Sequence, residues 1–133
     1  MYDELFDAAK RARQRAYAPY SNFLVGAALL DEHGNMYAGC NVENVAYADT
    51  LCAESGAISA MVAGGGRQIR TIAIVGGKTA NTLTCMPCGS CRQRIREFAT
   101  SDTRIVTIDV HSGEALVYSI QDLLPLAYES NAT

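Results

Sequence analysis

The sequence predicts an α/β protein: a three-layer α/β/α sandwich around a five-stranded mixed sheet. Three observations lead there. Five short apolar runs of strand length recur along the chain, and segments with helical periodicity lie between them. A tight turn at Ser112-Gly113-Glu114 joins the last two runs, which makes that pair antiparallel.

Tyr2 to about Tyr17 reads as a helix, because Leu5, Phe6, Ala9, Ala12 and Ala16 recur at three- and four-residue steps before Pro19 ends the pattern. Leu24 to Leu30 is a buried-strand run. Asp31-Glu32-His33-Gly34-Asn35 supplies turn chemistry, and Met36 to about Cys40 returns as the second arm of a hairpin. Asp49 or Thr50 can cap a helix that starts near Cys52 and reaches about Ala63, where Gly64-Gly65-Gly66 stops it. Ile72 to Val75 is a third strand. Pro87 suits the first position of a helix from Cys88 to about Phe98. Arg104 to Val110 and Ala115 to Tyr118 are the last strands, and Ile120 to Leu124 is a short helix stopped by Pro125. The order is α-β-β-α-β-α-β-β-α, and residues 1–133 suit one domain.

Composition narrows the function. The chain is 49% hydrophobic and 19% charged, a balance that builds a real core. A net charge of −3 argues against a nucleic-acid partner, which favours a basic stripe. No stretch approaches the roughly 18 apolar residues of a membrane span, and Met1-Tyr2-Asp3-Glu4 does not open a signal peptide. Five cysteines are an odd number, and three have metal-like spacing. Reduced thiols in a cytoplasmic protein are expected, rather than a disulfide framework.

The chemistry concentrates in Cys52-Ala53-Glu54 and Pro87-Cys88-Gly89-Ser90-Cys91. Three thiolates make a zinc site with one coordination position open, and a nearby carboxylate that is not a ligand can move protons. Cys88 and Cys91 are expected on one face of a helix, with Cys52 at the start of another. Two helix N-termini then point at one metal, which favours thiolates and eases their negative charge. Glu54 follows Cys52 by two residues, about 200° around a helix, so both reach a metal only if it lies off the helix end.

A closed site is the competing reading. Cys85 also pairs with Cys88 as C-x-x-C and, with Cys52 and Cys91, completes a four-cysteine structural zinc in a non-catalytic protein. Glu54 is then an ordinary solvated residue. Ferredoxin spacings do not match. Cys40 reads as a small buried apolar residue, and His33 and His111 as solvated beside hairpin turns. Taken alone, Asn41-Val42-Glu43-Asn44 suits a polar turn and Phe23 suits a core.

Taken together, the motifs resemble the zinc-dependent cytidine deaminase family of the free-nucleoside type. The resemblance is carried by Cys52-Ala53-Glu54, Pro87-Cys88-Gly89-Ser90-Cys91-Arg92-Gln93, Tyr17-Ala18-Pro19-Tyr20-Ser21-Asn22-Phe23, Val25-Gly26-Ala27-Ala28-Leu29, Gly39-Cys40-Asn41-Val42-Glu43-Asn44 and Leu123-Leu124-Pro125, in that family's order along the chain. It implies that fold and one Zn²⁺ per subunit on Cys52, Cys88 and Cys91, with Glu54 as proton shuttle. It also implies Asn41 and Glu43 on the ribose hydroxyls, Phe23 against the base, and the Ala53 backbone on the pyrimidine. Arg92 and Gln93 are implied to support the ligands from behind. The implied assembly is a homotetramer, or in some members a dimer, with Tyr47 and Tyr128 reaching across interfaces.

The implied reaction is hydrolytic deamination of cytidine or 2′-deoxycytidine to the uridine product and ammonia, in pyrimidine salvage or catabolism. Metal-activated hydroxide attacks C4. Polynucleotide and deoxycytidylate deaminases typically begin this motif with His, where Cys52 stands here. An aminonucleoside-antibiotic deaminase of the blasticidin type shares Cys-Ala-Glu, but the Asn41/Glu43 pair favours a ribose. One departure stands out: Ser55 occupies a place where many members carry Arg, whose charge is expected to offset the thiolates. Arg92 is one candidate substitute, although members that keep the first Arg also carry one there, and helix N–H groups and Gln93 are the other candidates.

Overall fold

The computed structural model describes residues 1–78 and 84–129. Its elements are α1 (Asp3–Gln14), β1 (Leu24–Asp31), β2 (Met36–Cys40), α2 (Ala53–Ala63), β3 (Ile69–Gly77), α3 (Gly89–Glu97), β4 (Ala99–Ile108), β5 (Ala115–Tyr118) and α4 (Ile120–Leu123), with a 3₁₀ turn at Tyr47–Asp49. The five strands form one sheet in the order β2-β1-β3-β4-β5. The β1/β2, β1/β3 and β4/β5 pairs are antiparallel. β3 and β4 are parallel, and α3 lies in the crossover that a parallel pair requires.

Alternation along the strands sorts the apolar side chains onto two faces. Ala28, Ala73, Val75, Val106 and Ile108 meet Leu5, Phe6, Ala8 and Ala9 of α1. Ala27, Leu29, Ile72, Ile74 and Ile105 point the other way, against Ala57 and Met61 of α2, Ile95 of α3 and Leu123 of α4. The expected α/β/α sandwich follows, with one helix on one face and three on the other. Gly26 lets α1 press onto β1: a Cβ there would sit 1.9 Å from the Ala9 carbonyl oxygen. The β1/β2 turn is built as expected, with Asp31 Oδ1 accepting from the His33 and Asn35 amides and Gly34 at φ +80°. Among the described residues, no helix is long and apolar enough to cross a membrane.

Boundaries differ where neighbouring segments compete for the backbone. The first helix ends at Gln14 rather than near Tyr17, because Tyr17 is drawn into a bridge with Val42. Its amide donates to the Asn41 carbonyl at 3.0 Å, and its carbonyl accepts from the Glu43 amide at 2.8 Å. β3 and β4 begin earlier than their apolar cores, at Ile69 and Ala99, which pair across an irregularity in the register. Both ligand helices start one residue later than expected: Cys52 and Cys88 are extended N-cap residues. Pro87 therefore precedes the cap instead of opening the helix. Asp49 ends the 3₁₀ turn and Thr50 follows it, so neither caps α2. Of the polar tail from Glu129 to Thr133, residues 130–133 lie outside the described residues.

Candidate metal centre

Two helix starts converge to make the site. Cys52 caps α2 in an extended conformation (φ −77°, ψ 152°), and Cys88 caps α3 likewise (φ −69°, ψ 171°). Cys91 is the third residue of α3 and Glu54 the second of α2. The geometric demand read from the sequence is met, since Cys52 lies outside the helix while Glu54 lies in its first turn.

Backbone pairing brings the two helix starts into place. Val42 and Leu51 exchange amide-to-carbonyl hydrogen bonds, both 2.9 Å, which fixes the segment entering Cys52. On the other side, Thr84 bridges to Val75, its hydroxyl donates to the Ile108 carbonyl, and the Cys85 amide donates to Thr107 Oγ1 at 3.2 Å. These bonds pin the segment entering Cys88 to β3 and β4.

The sulfurs of Cys52, Cys88 and Cys91 lie within 4.8 Å of one another, and among the described residues they are the one such cluster of metal-ligating side chains. A tetrahedral zinc with Zn–S bonds of about 2.3 Å separates its sulfurs by about 3.8 Å, which lies inside that limit. The electrostatics favour a cation there. Burial, then the charges of Glu54 and Cys52, push the Cys91 thiol far up. The Cys91 backbone amide lowers the Cys88 thiol, against a smaller rise from burial. A divalent ion among the three sulfurs relieves this crowding and stabilises the thiolates. The residues present therefore fit one Zn²⁺.

Cys85 does not join them. Its sulfur packs towards Gly76, where a Cβ would meet it at 3.1 Å, and the side chain lies against the apolar core. Burial pushes its thiol up to about 11, so it is neutral at physiological pH. Glu54 is not solvated either: it is 4% exposed. Burial raises its pKa, opposed by its own amide, Cys91 and the charge of Arg94. Both features of the closed-site reading are thus overturned.

The other expected residues differ in their exposure to solvent. Asn41 is buried, with Oδ1 accepting from the Val25 amide (2.9 Å) and Nδ2 donating to the Phe23 carbonyl (2.8 Å). Glu43 accepts from the Tyr20 and Ser21 amides at 3.0 and 3.1 Å and from the Ser21 hydroxyl. The Ser21 hydroxyl is the main cause of its lowered pKa. Both residues hold the loop that carries Phe23, which is 37% exposed. The backbone of Ala53 forms the first helical residue of α2. Tyr47 and Tyr128 are 85% and 78% exposed.

Behind the ligands, Arg92 donates from Nε to the Pro87 carbonyl and from Nη1 to the Leu123 carbonyl, both at 2.8 Å. It ties the ligand loop to α4. Arg94, rather than Arg92, reaches a ligand: its Nη1 lies 3.9 Å from Cys91 Sγ. Sequence reasoning missed Arg94 and the Ser21 tether. The spacing of Arg94, three residues after Cys91 on one helix, was the available signal. Gln93 and Arg94 line an open pocket with Ser55.

Comparison with known proteins agrees with this geometry. The family model for the cytidine and deoxycytidylate deaminase zinc-binding region matches residues 1–107. A cytidine deaminase of Sporosarcina psychrophila is 40% identical over 126 residues, covering 95% of this chain and 90% of that protein. One from Mycobacterium tuberculosis H37Rv is 44% identical over 97 residues, covering 73% of this chain and 71% of that protein. The crystal structure of cytidine deaminase from Burkholderia pseudomallei superposes with a TM-score of 0.85 at 42% identity, covering 96% of this chain and 99% of that chain. With sequence and fold matched over this much of its length, the chain belongs to the cytidine and deoxycytidylate deaminase family and carries that family's zinc-binding region.

Proposed function

We propose that this chain, as one catalytic domain, deaminates free cytidine or 2′-deoxycytidine hydrolytically, giving the uridine product and ammonia. The observation that carries the reading is the burial of Glu54 in the first turn of α2, against Cys91 of the three-sulfur cluster. A carboxyl whose pKa is raised by burial can hold a proton and give it back, as a group that alternates between base and acid must.

Cys52, Cys88 and Cys91 hold the zinc, which when bound activates water for addition at C4 of the pyrimidine. Glu54 takes up one proton of the water and delivers it to N3. It then takes a second from the new C4 hydroxyl, which becomes the uridine carbonyl, and passes it to the exocyclic amine, which leaves as ammonia. The start of α2 at Ala53 offers backbone groups to the pyrimidine, and Phe23 supplies an apolar wall for the base. Asn41 and Glu43 take the ribose hydroxyls. Their existing bonds to the Phe23 loop set both residues before substrate arrives.

Cys52 at the head of the motif and the net charge of −3 support a free nucleoside over a polynucleotide. The exposed Tyr47 and Tyr128 are available to complete neighbouring sites in a homotetramer, or in a dimer. Free thiols at all five cysteines suit a cytoplasmic enzyme of pyrimidine salvage or catabolism. The test is a substrate panel followed by ultraviolet absorbance: cytidine, 2′-deoxycytidine, deoxycytidylate and a blasticidin-type antibiotic. The two nucleosides should be turned over, with activity lost to a chelator and restored by zinc. Turnover of the antibiotic alone would replace this reading.

A further inference from the structure

We propose that Arg94 is the positioning residue that offsets the negative charge of the zinc site and so slows release of the metal. The inference rests on the reading that Cys52, Cys88 and Cys91 hold zinc. Three thiolates around Zn²⁺ leave a net charge of −1, and Cys91 is buried away from water that would otherwise screen it. Arg94 itself is exposed, so solvent screens its end of the contact, while the buried sulfur keeps the attraction above that of a pair with both ends in water.

Helix α3 carries three arginines in alternation, and their partners separate them. Arg92 is held by the Pro87 and Leu123 carbonyls. Arg96 pairs with Glu129. Arg94 points its Nη1 at Cys91 Sγ, 3.9 Å away, from the next turn of the same helix. Across the pocket stands Ser55, one residue beyond Glu54, whose buried hydroxyl has no hydrogen-bond partner. α2 carries no cation in its first turn, and the Arg94 guanidinium on α3 reaches the Cys91 sulfur.

The test is the rate of zinc transfer from the loaded protein to a chromogenic chelator, read beside zinc content and the melting temperature of the metal-free protein. Arg94→Gln should release zinc about 10- to 100-fold faster, the usual effect of removing a group that supports a metal ligand. Arg94→Lys, which keeps the charge, should stay within about threefold of wild type on the same scale. Ser55→Arg added to Arg94→Gln should slow release again, because the new guanidinium enters the same pocket. The metal-free melting temperatures should agree among all four proteins. Equal release from Arg94→Gln and wild type would overturn the proposal, as would equal acceleration by Arg94→Lys. Failure of the underlying reading looks different: Cys91→Ser would then hold zinc as well as wild type.

Discussion

Gly39 of β2 lies under Ala53 of α2 so closely that a Cβ on Gly39 would sit 2.6 Å from the Ala53 carbonyl oxygen and 2.5 Å from the Ala57 amide nitrogen. Both contacts are backbone, so neither can swing aside. This approach sets the height of the first turn of α2 above the sheet, and with it the position of Glu54.

Gly39→Ala should therefore destabilise the protein by about 1–3 kcal/mol, the usual range for overpacking. It should also lower kcat more than it raises KM, because Glu54 is displaced. Gly56 faces the same contact from the helix side but has room, its nearest neighbour being the Gly39 Cα at 3.5 Å. Gly56→Ala should raise stability by about 0.5–1 kcal/mol through helix propensity. Thermal melts of the two variants, with steady-state kinetics, check both expectations.

Asn41→Ala should cost about 1 kcal/mol for the two part-buried hydrogen bonds it removes, those of the Val25 amide and the Phe23 carbonyl. Because Phe23 loses its tether, KM for cytidine should rise at least about tenfold, a change of 1.4 kcal/mol in binding. Denaturant unfolding and Michaelis kinetics measure the two effects separately. An unchanged KM would remove Asn41 from the substrate side of the account.

Glu43 gives a pH signature. Hydrogen bonds from the Ser21 hydroxyl and from amides favour its charged form, so its pKa lies below the ordinary 4.5. A lowered carboxylate pKa stabilises the tether above the unfolded value and loses that contribution only as pH falls through the folded one. KM should stay flat from neutral pH towards 4.5 and rise beyond it, and Ser21→Ala should move that rise to higher pH. Kinetics across an acid series on both proteins check this.

Cys85 should be dispensable to the metal. Cys85→Ser should keep one zinc and most of the activity, and in the native protein the thiol should resist alkylation well below its value of about 11. Metal analysis and mass spectrometry after iodoacetamide treatment are sufficient. Loss of zinc from Cys85→Ser would restore the four-cysteine alternative.

Much of this was legible in the chain because its signals are local. Apolar runs marked the strands, helical periodicity marked α1, and stop residues such as Gly64-Gly65-Gly66 and Pro125 marked where α2 and α4 end, while Cys52, Cys88 and Cys91 announced a cluster through residue type and spacing. What the chain hid depends on contacts distant in sequence. Tyr17 left the first helix because Val42 offered a backbone partner, and β4 began at Ala99 because Ile69 lay opposite. Cys85 looked like a ligand by spacing, yet its sulfur packs by Gly76. Arg92 and Arg94 were equivalent as letters. Only the carbonyls of Pro87 and Leu123 decide that Arg92 is occupied, leaving Arg94 to face Cys91.

The most direct measurement is cytidine turnover by Glu54→Gln with zinc content determined on the same sample. Glutamine keeps the shape of the side chain but cannot carry the proton, so the account predicts a full complement of zinc with turnover reduced by about 10²–10⁴. A zinc-loaded Glu54→Gln protein that deaminates cytidine at the wild-type rate would contradict it.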